Sequence, residues 1–107
     1  MPTAKGDPGR LTEAAFQRQV TDLASLCGWR TYHTHDSRRS NSGFPDIVMV
    51  HPKRGLVVFA ELKREGGRTT AAQREWLADL RQAGVAYEWR PSDWPEIVAV
   101  LTGGTGT

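Results

Sequence analysis

The sequence predicts one small α/β domain in the order α-β-β-β-α-β-α, a mixed central sheet flanked by helices. Three observations lead to it. Residues 43–50 and 56–63 are two runs rich in Val, Ile and Phe, joined by the turn-forming His51-Pro52-Lys53-Arg54-Gly55, which is the pattern of an antiparallel hairpin. Segments with helical periodicity and recognisable caps lie on both sides of that hairpin. The chain has 107 residues, 38% of them hydrophobic, with four Trp, which is one domain's worth of packed core and not a disordered composition.

Taken in order, residues 1–10 are rich in Gly, Pro and charge and read as a mobile arm, and the folded domain is expected over 11–101. The first helix runs from Leu11 to Cys27, with Thr12 as N-cap and Gly28 as stop. Phe16, Val20, Leu23, Ala24 and Cys27 form its apolar stripe, and at about 100° per residue Glu13 projects on that same side. A carboxylate in a first turn also suits the helix dipole, and that role needs no inward orientation. Residues 29–35 alternate as a first strand, and residues 36–44 are a long polar loop placed just before the hairpin. The pattern Thr70-Ala71-Ala72-Gln73 is a capping box opening a helix through Trp76, Leu77, Leu80 and Ala83 to a stop at Gly84. Gln73 falls on the inward side, as the capping partner of Thr70 or as a polar contact near Lys63. Residues 85–90 form a last strand, parallel to its partner because a helix separates them; 92–101 form a final helix and 102–107 a flexible tail.

The hairpin carries the chemistry. With a loop over 52–55, Val50 faces Val57, Val48 faces Phe59, and Asp46 falls opposite Glu61. Period two places Lys63 on the face of Glu61, while Leu62 and Arg64 point the other way. Glu61, Lys63 and Arg64 alone would pass for a solvated strand end. Two carboxylates directly opposed beside an ammonium, at one end of an apolar hairpin, are costly unless paired or bound to a metal. A divalent cation held by oxygen ligands would remove the conflict.

The residues Glu13, Gly43-Phe44-Pro45-Asp46, Glu61-Leu62-Lys63, and Gln73 near Trp76 resemble the pattern of the PD-(D/E)xK nuclease superfamily, with its restriction-endonuclease-like core. More narrowly, the chain is similar to the VRR-NUC (virus-type replication-repair nuclease) domain in its small, stand-alone phage form, over roughly residues 10–101. The resemblance implies a structure-specific endonuclease that hydrolyses phosphodiesters of branched DNA with Mg²⁺, or Mn²⁺ as substitute, and points to a Holliday-junction resolvase acting in DNA repair. It implies Asp46, Glu61 and the Leu62 carbonyl as metal ligands, Glu13 as a further ligand, direct or through water, Lys63 as the catalytic ammonium, and Gln73 as its positioning partner. A flap, splayed-arm or nonspecific nuclease of the same fold, and a non-catalytic module that binds branched DNA, are the other readings.

Net charge is +2 with a pI near 9.0, so local basic clusters matter more than the global field. Arg38, Arg39, Ser40 and Asn41 in the loop, with Arg64 and Arg68 after the hairpin, are the candidate DNA contacts; a merely flexible connection accounts for the loop equally well. Lys53-Arg54 is a further basic pair. Cys27 is the single cysteine and sits on the apolar stripe, which excludes an internal disulfide and fits a cytoplasmic setting in a bacterial or phage-infected cell. His33, His35 and His51 lack the spacing of a zinc site; plain strand surface, or for His33 and His35 the lining of the DNA groove, are their other roles. No apolar span is long enough for a membrane. A homodimer is expected, because symmetric cleavage of a four-way junction needs two sites, with Trp89, Trp94, Ile97, Val98 and Leu101 either as interface material or as the completion of the monomer core.

Overall fold

The computed structural model describes residues 11–34 and 43–103. Helix α1 (Glu13–Leu26) is followed by strands β1 (Arg30–His33), β2 (Ile47–His51) and β3 (Leu56–Leu62), helix α2 (Ala71–Ala83), strand β4 (Val85–Trp89), a 3-10 turn over Pro91–Asp93, and helix α3 (Trp94–Thr102). The strands lie in the order β1-β2-β3-β4. β1, β2 and β3 pair antiparallel, and β4 joins β3 parallel after the α2 crossover. The hairpin register is the expected one, with Val50 opposite Val57 and Val48 opposite Phe59.

Both main helices start where their caps direct. The Thr12 hydroxyl accepts the Ala15 N–H at 3.0 Å, and Thr70 and Gln73 form the reciprocal capping box. One sheet face, with Ile47, Met49, Val58, Ala60, Leu62 and Trp89, packs on Phe16, Val20 and Ala24 of α1 and on Ile97 and Leu101 of α3. Trp29 closes this core from the turn after α1, its indole N–H donating to the Leu101 carbonyl at 2.8 Å. The other face is covered by α2 over β3 and β4, with Leu77 buried there.

Two expectations need correcting. Trp89, Ile97 and Leu101 are fully buried and Trp94 packs against the same core, so these four residues complete the monomer core and do not form an exposed patch. The sheet has two faces to cover, and α1 alone is too narrow for the first. The second correction concerns residues 43–46, which precede β2 instead of forming its start. Pro45 has no N–H for a ladder, and the segment is fastened otherwise: the Thr34 hydroxyl and N–H donate to the Pro45 and Asp46 carbonyls, both at 2.9 Å. Gly43 (φ +90°) lies so close to α2 that a Cβ there would be 2.6 Å from the Ala72 carbonyl carbon. Phe44 then fills the gap edge-on between Phe59 and Trp76. The motif segment is thus pinned to the start of α2.

Candidate active site

The ladder between β2 and β3 opens after the pair Ile47 and Ala60, and the next residues across the gap are Asp46 and Glu61. Alternation along each strand carries both side chains to the face that α2 covers. The Asp46 carboxylate replaces the missing strand partner: its Oδ2 accepts the Leu62 N–H at 2.9 Å. Because the Lys63 N–H is used by the Trp89 carbonyl of β4, the peptide groups of Leu62 face the other side, toward Asp46.

Glu61 is 1% exposed, the one buried charged residue in the described part of the chain. Its Oε2 accepts a 2.8 Å hydrogen bond from the Gln73 amide nitrogen and lies 3.5 Å from the Lys63 ammonium. The Gln73 amide oxygen meanwhile accepts the Thr70 N–H at 2.8 Å. Both roles open in the sequence are therefore filled by one side chain, because an amide is acceptor at one end and donor at the other. Glu61 Oε1 is buried with no donor among the described residues.

Electrostatics follow from this crowding. Burial first, and then the Asp46 charge, push the Glu61 carboxyl up to about 8, against the pull of Lys63; Glu13 adds a smaller repulsion. Burial also raises Asp46 from its ordinary range, and outweighs the Leu62 N–H and the Lys63 and His33 charges that favour its anion. Burial and their proximity thus hold both carboxyls above their ordinary range when no cation is present.

The structure gathers Asp46, Glu61, Lys63 and Gln73 and positions the Leu62 backbone beside them. Glu13 is at the first turn of α1, exposed, near enough to act on Glu61 through charge; among the described residues no three His, Cys, Asp or Glu side chains form a ligand cluster. Arg64 and Arg68 are exposed on the segment between β3 and α2. Arg38, Arg39, Ser40, Asn41 and His35 lie outside the described residues. Arg54 serves the fold, 5.3 Å over the Trp29 ring and bonded to the Val100 carbonyl. His51 does too: its Nδ1 accepts the Arg54 N–H, so Nε2 carries the proton and donates to the Cys27 carbonyl at 2.9 Å. His33, whose Nδ1 meets the Gln17 amide nitrogen, was not among the expected site residues, and its charge is felt at Asp46. The signal for it was the pairing of β1 with β2, which sets His33 beside Ile47.

A hairpin that splays at an Asp and a Glu-x-Lys, with a glutamine helix cap closing on the glutamate, makes this a nuclease core of the PD-(D/E)xK type. Comparison places it further: the model of the VRR-NUC domain matches residues 7–94, and the chain belongs to that family. A solved VRR-NUC domain superposes with a TM-score of 0.66 at 20% identity, covering 81% of this chain and 94% of its own, which is agreement of fold. Among curated proteins, a Fanconi-associated nuclease 1 homolog of Caenorhabditis elegans is 39% identical over 51 residues, 48% of this chain. One of Schizosaccharomyces pombe is 33% identical over 55 residues, 51% of this chain. The matched segments make up 6% and 8% of those two proteins, so the chain spans a small part of their length. No helix among the described residues is long and apolar enough to cross a membrane.

Proposed function

We propose that this nuclease domain is a Mg²⁺-dependent endonuclease of branched DNA, with Mn²⁺ able to substitute. The observation that carries the metal is the Asp46–Glu61 pair: a half-buried carboxylate opposite a fully buried one, with an orphaned Glu61 Oε1, an all-oxygen donor set that suits a hard cation. Asp46, Glu61 and the Leu62 carbonyl would hold it, with Glu13 as a further ligand, direct or through water. When bound, the cation supplies Lewis-acid polarisation of the scissile phosphate and a more acidic water.

The chain's own residues do the rest. Lys63, tethered by Glu61 Oε2, orients the attacking water and stabilises the charge that develops on the phosphate. Gln73 holds Glu61 in the rotamer that presents Oε1 to the site, and it is held in turn by the helix cap it completes. Leu62 N–H does the same for Asp46. Arg64 and Arg68, exposed just beyond, contact phosphates, together with Arg38, Arg39, Ser40 and Asn41 of the loop.

The relatives' name, Fanconi-associated nuclease 1, supports nuclease action, and the branched substrate is what the resemblance to the VRR-NUC family implies. Resolution of a four-way junction by two symmetric cuts would require a homodimer. The test is cleavage of four-way junction, splayed-arm, flap and linear duplex DNA with and without Mg²⁺, beside Asp46→Asn. Branched substrates cut only with the cation, and not by the variant, is the expected result. Wild-type turnover by Asp46→Asn would sink the site, and a monomer by light scattering that cuts one strand of flap DNA would replace the resolvase by a flap nuclease.

A further inference from the structure

The face that carries Asp46, Glu61 and Lys63 is only half covered. α2 lies over β3 and β4, and among the described residues no helix packs broadly over β1 and β2 on this face. Along β1, alternation puts Arg30, Tyr32 and Thr34 on this face, and the pairing of Tyr32 with Val48 and of Arg30 with Val50 sets them beside β2. Tyr32 is 66% exposed, and Val50 and Val57, paired on the same face, are 40% and 41% exposed. Arg30 is exposed as well. The other aromatic groups of this face are engaged, Phe59 with Phe44 and Phe44 with Trp76, whereas the Tyr32 ring stands in water.

Tyr32 is one strand over and two residues down from Asp46. In an antiparallel pair that diagonal is about 7–8 Å between Cα atoms, within reach of a tyrosine ring. No carboxylate other than Asp46 and Glu61 lies on this face of β1, β2 or β3, and Arg30 adds a cation two residues beyond the ring. A cation and an exposed aromatic on an apolar shelf, running up to a phosphodiester-cleaving site, is the arrangement that holds single-stranded nucleic acid: the cation takes a phosphate and the ring takes a base.

We propose that Tyr32 is a stacking platform for an unpaired base flanking the scissile phosphate, with Arg30 on the adjoining phosphate, and that it selects DNA with a single-stranded nucleotide at the branch over continuous duplex. This rests on the nuclease reading above and adds its substrate determinant. The occupant is a DNA strand rather than a second copy of the chain, because the shelf is continuous with the carboxylate row and carries a positive charge.

Wild type, Tyr32→Phe, Tyr32→Ala and Arg30→Gln of the full chain would be compared on splayed-arm DNA with 2-aminopurine at the first unpaired position, and on continuous duplex. Fluorescence is read in EDTA, and cleavage in Mg²⁺. Stacking is lost with the ring and kept with Phe. Tyr32→Ala therefore abolishes the 2-aminopurine quench and raises KM on the splayed arm by about 5- to 150-fold, with kcat and duplex cleavage nearly unchanged. Arg30→Gln weakens both substrates and lowers the salt slope by about one. Thermal unfolding stays put, since the ring is exposed. Equal quench in Tyr32→Ala and wild type, equal loss on both substrates, or a change of molecular mass in Tyr32→Ala, which would put a second copy on the shelf, each overturns the proposal. A wild-type protein that quenches through Tyr32 yet cuts nothing in Mg²⁺ or Mn²⁺ would instead overturn the nuclease reading and leave the binding site standing.

Discussion

Glu61→Gln should make the metal-free protein more stable, and only above mildly acidic pH. The glutamate is 1% exposed, faces Asp46, and has its carboxyl pushed from 4.5 up to about 8. Unfolding returns it to its ordinary value. Below 4.5 both states are protonated and Glu61 contributes nothing to the pH dependence. Between 4.5 and about 8 the unfolded chain has released the proton that the folded one retains, so stability falls as pH rises; above that window it is level again. At about 1.4 kcal/mol per pH unit the ceiling is roughly 5 kcal/mol. Lys63 and water entering the site will relieve part of it, so about 1–3 kcal/mol is expected, or roughly 5–20 °C in Tm for a domain of this size. Gln keeps the volume and an acceptor for the Gln73 amide while removing the charge. Melts of wild type and Glu61→Gln in EDTA from pH 5 to pH 9 should therefore diverge as pH rises. Mg²⁺ should lift the wild type alone. A difference curve that is flat across the window, or a wild type that gains on the variant with rising pH, would refute the reasoning about the carboxylate pair.

Three more outcomes follow from single contacts. Lys63→Ala should cost on the order of 10²-fold or more in cleavage rate, whereas Arg64→Ala should mainly weaken DNA binding and reduce its salt slope by about one; equal catalytic losses with binding unchanged would contradict their assignment to opposite faces. Gln73→Glu retains the capping box, since glutamate serves at that position, but it loses the donor to Glu61 and adds a third negative charge; far-UV circular dichroism should be unchanged and cleavage should fall by about 10-fold or more. Wild-type cleavage in that variant would reduce Gln73 to a cap. Gly43→Ala combines a left-handed backbone with a Cβ 2.6 Å from the Ala72 carbonyl carbon, and urea unfolding should show about 2–4 kcal/mol of destabilisation; a loss below about 0.5 kcal/mol would mean that the segment is not pinned to α2.

The sequence by itself determined whatever depends on period and pairing. The caps at Thr12 and Thr70 and the apolar stripe of α1 follow from helix geometry. The register of the hairpin follows from its turn and alternation, and with it the meeting of Asp46 and Glu61, because a slip of one residue would have exposed the whole core face. The parallel return of β4 follows from the intervening helix. Tertiary structure decided what depends on which surface another element covers. It buried Trp89, Ile97 and Leu101 in the monomer, against the expectation of an interface, because α1 could not cover one sheet face alone. It drew Arg54 to Trp29 instead of to a phosphate, and it kept Glu13 at the rim. It let one Gln73 amide serve both Thr70 and Glu61, since the distance from a helix start to a neighbouring strand is set by packing and is written in neither segment. Tyr32 and Leu77 illustrate the division. Periodicity assigns each to a face, but burial is a property of what lies opposite: β3 and β4 lie under Leu77 of α2, whereas the Tyr32 ring is left exposed on β1.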